Sequence, residues 1–259
     1  MIEEPYRWVE AIANRREYIE TQLAAGNPIA AVGFRDGILF LTVGRTGQKI
    51  FEVYNRIAMG AIGHPGDIER LRMAAIEAAS TEGFTRSAAD VSLRRMAHYS
   101  LSPALKAAFE QIYGPPYLAR LLFAEIGEKP EEDFFLRLEY DGAIATNGAT
   151  LAQRRQTFAV LSATRQSTEL MESFLSSANA SESNFEGALK AALDAWTIGH
   201  MALGPDGIKE MPDKAAIAKH REEQFKLAGA EAAILERANK GAIRYRALSD
   251  EEIRSSIRD

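Results

Sequence analysis

Residues 27–79 read NPIAAVGFRDGILFLTVGRTGQKIFEVYNRIAMGAIGHPGDIERLRMAAIEAA. Ile29–Phe34 and Ile38–Val43 are two β-branched and aromatic runs joined by Arg35-Asp36-Gly37, a hairpin signal. Gln48–Tyr54 and Arg56–Ile62 repeat the pattern around Tyr54-Asn55. Gly63-His64-Pro65-Gly66 then turns the chain, and Asp67 is a candidate N-cap for a helix with Ile68, Leu71, Ala75, Ala78 and Ala79 on one face. Four short strands followed at once by a helix predict an α+β fold in which two sheets stack face to face.

Outward from this stretch, the N-terminal segment Tyr6–Ala25 has helical periodicity. Trp8, Ile12, Ile19 and Leu23 form a narrow apolar stripe, Gly26 can supply a left-handed C-terminal position, and Pro28 stops the helix. Beyond residue 79, Ser87–Tyr113 reads as helical with a kink or split at Pro103. Tyr117–Ile126, Phe134–Tyr140, Ala143–Ala145 and Thr157–Leu161 read as strands, with a tight turn at Tyr140-Asp141-Gly142 and a polar connection over Asn147–Gln156. Thr168–Ser177 is a helix, and Ser183-Asn184-Phe185-Glu186 is a capping box opening another that carries Leu189, Ala192, Leu193 and Trp196 inward. Residues 204–229 hold a charged helical run, Asp213–Leu227, and read as an exposed insertion. Ala230–Arg237 and Ala242–Leu248 make a closing hairpin around Asn239-Lys240-Gly241, and Ser249 with Glu252 caps a short terminal helix. The order predicts one domain over 1–259, with a leading segment and helix over 1–26, a sandwich over 27–248 and a tail over 249–259.

Composition excludes several classes. The 259 residues are 46% hydrophobic, enough to bury a substantial core, and carry a mild net charge of −5 with both signs interspersed. No basic patch interleaved with aromatics points to nucleic acid, and no apolar run reaches membrane-span length. The absence of cysteine removes disulfides, thiolate metal sites and a cysteine nucleophile. Glu3, Glu4 and Pro5 stand where a signal peptide would begin, so the expected location is the cytoplasm. His64, His98, His200 and His220 show no metal-ligand spacing, and each reads as an ordinary helix or turn residue. The run Gly60–Gly66 lacks the Lys-Ser/Thr ending of a phosphate-binding loop, and no serine sits in a Gly-x-Ser-x-Gly elbow. Neither a cofactor nor a metal is expected.

Val32-Gly33-Phe34 before the Gly37 turn, Gln48-Lys49-Ile50-Phe51 and Gly63 just before a helix resemble the proteasome core-particle family of the N-terminal-nucleophile hydrolase superfamily. The Arg16–Leu23 helix ending, Ala124-Glu125 and Tyr140-Asp141-Gly142 resemble the α-type subunits of bacterial, actinobacterial-type proteasomes, and the N-terminal helix marks the α-type. The resemblance runs from about residue 8 to about 248, with departures at 146–156 and 204–229. It implies a four-layer αββα sandwich and a ring, of seven copies in the family, stacked on threonine-protease β-type subunits.

The resemblance also implies roles for individual residues. Aligning Val32-Gly33 places Ile29 where β-type subunits carry their nucleophilic threonine, and Arg45 near their aspartate, so this chain is expected to be non-catalytic. Lys49 falls on the active-site lysine, but in α-type subunits a lysine there pairs with the C-terminal carboxylate of an ATPase activator's tail, with a glycine at Gly63 leaving room. Met1, Ile2, Glu3, Glu4, Pro5 and Tyr6 would form a gate at the axial pore, and Trp8, Ile12, Ile19 and Leu23 a ring-contact helix. Expected partners are further copies of this chain, β-type subunits, a ring ATPase and unfolded protein substrates. The alternatives are a self-sufficient hydrolase whose active residue lies elsewhere, and a scaffold ring without a protease partner.

Overall fold

In the computed structural model the described residues are 5–44, 47–111, 113–146, 156–178, 180–239 and 243–257. Strand β1 (Ile29–Phe34) pairs antiparallel with β2 (Gly37–Gly44), with Phe34 opposite Gly37 across a two-residue turn. Every residue of β1 is buried, because the pleat sends alternate side chains into two different cores. Ile29, Ala31, Ile38 and Phe40 face the second sheet, whereas Ala30, Val32, Leu39 and Leu41 face helices. Coverage on both faces is why these strands read as unbroken apolar runs.

The first sheet is completed by β8 (Phe158–Leu161), β9 (Gly229–Glu236) and β10 (Tyr245–Ala247), in the order β10-β9-β2-β1-β8. The second contains β3 (Ile50–Tyr54), β4 (Ile57–Gly63), β5 (Ala119–Glu125), β6 (Phe134–Leu138) and β7 (Ile144–Thr146), in sequence order. All neighbouring strands are antiparallel. Helices α2 (Pro65–Thr85), α3 (Leu93–Met96) and α4 (Ser102–Glu110) cover the outside of the second sheet. Helices α5 (Arg165–Ala178), α6 (Phe185–Met201) and α8 (Asp250–Ile257) cover the first, and α7 (Lys214–Leu227) packs on α6. The result is the expected α+β, four-layer αββα sandwich.

Helix α1 (Pro5–Leu23) lies across one end of the sandwich. Ile19 and Leu23 are buried against Phe109 and Tyr140, and Arg120 of β5 reaches up to Glu20. Gly26 does not take the left-handed conformation expected of it. A Cβ there would sit 3.2 Å from the Ile62 side chain, so glycine is needed for close approach of the chain to β4.

Local chemistry moved other expectations. Asp67 is not the N-cap of α2; His64 holds that place with Pro65 in the first turn, and the Asp67 carboxylate accepts from Leu118 N at 3.0 Å. The cap of α6 is Asn184, which accepts from Gly187 N, rather than Ser183, whose hydroxyl donates back to Ala180 O. The helix expected over 87–113 begins at Leu93, and the expected split is a π turn at Ala97–Leu101, directly ahead of Pro103 in the first turn of α4. The 213–227 run is docked rather than loose: Ile217 is buried, and Arg221 pairs with Asp194 of α6 at 2.7 Å. The Ser249–Glu252 capping box forms reciprocally.

Candidate functional site

Lys49 and Gly63 are fourteen positions apart, and the β3–β4 hairpin brings them to one place. Ile50 is opposite Gly60, and Ala61 N donates to Lys49 O at 2.9 Å. Together with the end of α1 (Leu23, Gly26) and the start of α2 (Pro65, Glu69), they line a cavity of about 450 Å³. The turn from β4 into α2 sets its floor. Gly63 has φ +135°, and a Cβ there would collide with Leu118 O of the neighbouring segment. Gly63 is therefore required first by the backbone, and the room above it is a consequence. His64 N donates to the same Leu118 carbonyl at 2.7 Å, which locks the turn.

Lys49 is held from behind. Its backbone N–H donates to both carboxylate oxygens of Glu231, each at 3.0 Å, and Ile50 N donates to Glu231 Oε1 at 2.8 Å. Burial pushes the Lys49 ammonium below its ordinary pKa, and the Glu231 charge opposes that shift. Burial likewise pushes Glu231 up, opposed by the two amides and by Lys49. Glu69 also borders the cavity, but both its oxygens accept from Arg72, at 2.7 and 2.8 Å, and the Arg72 guanidinium lies over Phe51. Among the described residues the lining holds no serine, threonine or cysteine. Among the described lining residues Lys49 is the one cation, and Pro65 brings in the first turn of a 21-residue helix, so the lining suits a negative group.

The position aligned with a threonine nucleophile is different in kind. Ile29 is fully buried between the two sheets, and its nitrogen is committed to the Pro28 peptide bond, whose carbonyl accepts from Thr42 Oγ1 at 2.7 Å.

No family model matches the chain. The proteasome subunit alpha of Parafrankia sp. is 30% identical over 197 residues, which cover 73% of this chain and 74% of that protein. This chain belongs to the proteasome α-subunit family. The proteasome subunit alpha of Acidothermus cellulolyticus is 32% identical over 149 residues, and that of Streptomyces avermitilis 33% identical over 145. The matched regions span 63% and 57% of those two relatives.

For a proteasome α-type chain, the expected site residues divide as follows. Lys49 and Gly63 share the cavity. Along α1, Ile19 and Leu23 turn inward and Ile12 is half-buried, whereas Trp8, Val9 and Tyr18 are exposed. Pro5 and Tyr6 belong to the first turn of α1; Met1, Ile2, Glu3 and Glu4 lie outside the described residues. His200 Nδ1 and His220 Nε2 are 2.9 Å apart and join α6 to α7, with His200 stacked on Trp196, a pairing that their spacing in the sequence does not show. Sequence reasoning also missed Glu231, whose one signal was a charge inside an otherwise small and apolar strand.

Proposed function

We propose that this chain is a non-catalytic α-type ring subunit of a bacterial proteasome-like core particle. Copies of it form an outer ring over threonine-protease β-type subunits, admit unfolded protein through an axial pore, and receive the C-terminal tails of a ring ATPase. Met1–Tyr6 serves as the gate at the pore. The exposed Trp8, Val9 and Tyr18 of α1 meet the neighbouring copy. The observation that carries the reading is the convergence of Lys49 and Gly63 on one cavity, in a chain whose nucleophile position is a buried isoleucine. A partly buried lysine that lines a cavity suits a terminal carboxylate.

The test is reconstitution of wild-type and Lys49→Ala chains with β-type subunits. A hydrogen bond to a charged group contributes about 1.5–3 kcal/mol, so each pocket should weaken on the order of tenfold to a hundredfold. Several tails on one ring multiply the loss through effective concentration. ATP-dependent protein degradation should collapse while small-peptide hydrolysis by the particle persists. A Lys49→Ala particle that binds its ATPase with wild-type affinity refutes the pocket. Covalent labelling of the isolated chain by threonine-directed inhibitors would refute the non-catalytic reading.

A further inference from the structure

We infer that Glu231 is the positioning residue of the Lys49 site: from β9 it grips the backbone of Lys49 and Ile50 and sets a negative charge against the ammonium. The inference rests on the docking reading of the cavity. Among the described residues β3 is an edge strand with β4 as its neighbour; Lys49 precedes it, and the N–H groups of Lys49 and Ile50 both go to Glu231 rather than to β4. Glu231 belongs to the other sheet, opposite Thr42 of β2, and reaches across to accept from both amides at 2.8–3.0 Å. The next peptide is fixed as well, since Tyr245 Oη and Gln48 Nε2 both donate to Ile50 O, at 3.2 and 2.8 Å. A neutral acceptor would satisfy two amides at less desolvation cost than a half-buried carboxylate. What a carboxylate adds is charge, carried on the backbone of a partly buried lysine, where it opposes the effect of burial on the ammonium.

Two other ionisable groups near the pair, among the described residues, have partners or charges of their own. Glu69 from α2 is engaged by Arg72. Tyr245 from β10 is pushed up to about 12 by burial and by the charges of Glu231 and Glu52, so it stays a neutral donor at physiological pH. Glu231 is thus the carboxylate bonded to the Lys49 backbone and acting on its ammonium, at a residue that also lines the cavity.

The experiment uses the full chain with lysine labelled at Cε with ¹³C, Lys49 being assigned by the loss of its signal in Lys49→Arg. Glu231→Gln keeps the length and an acceptor oxygen but removes the charge. Its Lys49 titration midpoint should move down, whereas Tyr245→Phe, which loosens the next peptide without changing charge, should leave the midpoint in place. An unmoved midpoint in Glu231→Gln, or an equal shift in Tyr245→Phe, overturns the inference. Should Glu231→Gln not fold, Glu231→Asp, with its charge drawn back by one methylene, should give a smaller downward shift, and no shift overturns the proposal. The docking reading is tested separately, by adding N-acetyl-leucine or its amide to the wild-type chain. The acid alone should perturb the Lys49 signal, and the effect should fade as pH rises through the Lys49 midpoint, earlier in Glu231→Gln. An acid that leaves Lys49 unperturbed refutes docking while the titration still judges Glu231.

Discussion

Arg120 decides whether α1 stays on the sandwich, and Arg120→Met measures how much. The residue is 9% exposed, and its guanidinium spends its donors in three directions. Nη2 meets both oxygens of Glu20 in α1 at 2.6 and 2.7 Å, Nε meets Glu139 at 2.7 Å, and Nη1 donates to Ala163 O at 2.7 Å. Tyr140 Oη adds a bond to Glu20 at 2.7 Å, and burial together with the Glu20 charge holds that phenol above its usual range. Methionine fills much of the space and can make none of these bonds. Removing one partner of a buried ion pair costs about 3–5 kcal/mol. The Glu20 and Glu139 side chains are 45% and 34% exposed and can rehydrate, so the loss should be about 2–3 kcal/mol. The remaining apolar anchor of α1 is Ile19 and Leu23, which together contribute at most about 3–6 kcal/mol. The helix should therefore open locally while the sheets stay folded. Hydrogen exchange followed by mass spectrometry should show residues 5–23 exchanging roughly 30- to 150-fold faster, with β4 and β5 unchanged. Equal acceleration in α1 and β5, or none in α1, would refute the reasoning.

The His200–His220 bond needs one ring nitrogen as an acceptor, so it cannot survive protonation of both rings. Burial lowers both pKa values, reinforced at His200 by the charge of His220 and opposed at His220 by Glu223. Because the folded values lie below the unfolded value of about 6.5, the unfolded chain binds more protons. The stabilisation is complete above that pH and is lost as pH falls through it. Exchange protection in α7 should fall between pH 7.5 and 5.5, and His220→Gln should flatten the dependence; protection that ignores pH counts against it. Gly63→Ala forces a side chain into a positive-φ position and against Leu118 O. It should cost about 2–4 kcal/mol, read as a lower urea midpoint with an unchanged slope; a midpoint equal to wild type would show that the turn relaxes freely.

What could be read in the sequence was what neighbours along the chain decide. The β1–β2 and β3–β4 hairpins, the helix after Gly63 and the terminal capping box all arise from residues a few positions apart. Lys49 and Gly63 were legible for the same reason, since one hairpin carries both and the family pattern names them. Boundaries and caps moved where a neighbouring segment claimed a side chain, as Leu118 N claimed Asp67. The docking of α7 was not legible, because its polar surface suits an exposed helix equally well and the contacts that hold it lie on α6.

The sequence by itself determined the β1–β2 and β3–β4 hairpins and the N-terminal helix, because periodicity and turn chemistry are local, while the resemblance to a family aligned Ile29 with a nucleophile position. Only the tertiary structure decided that Glu231 stands behind Lys49, 182 positions away, that Arg120 ties down Glu20 across 100, and that two histidines 20 apart share a hydrogen bond. Each of these polar groups is costly to bury alone and becomes tolerable only beside its partner. Which partner that is depends on how the two sheets and their helices stack, and no spacing along the chain encodes that.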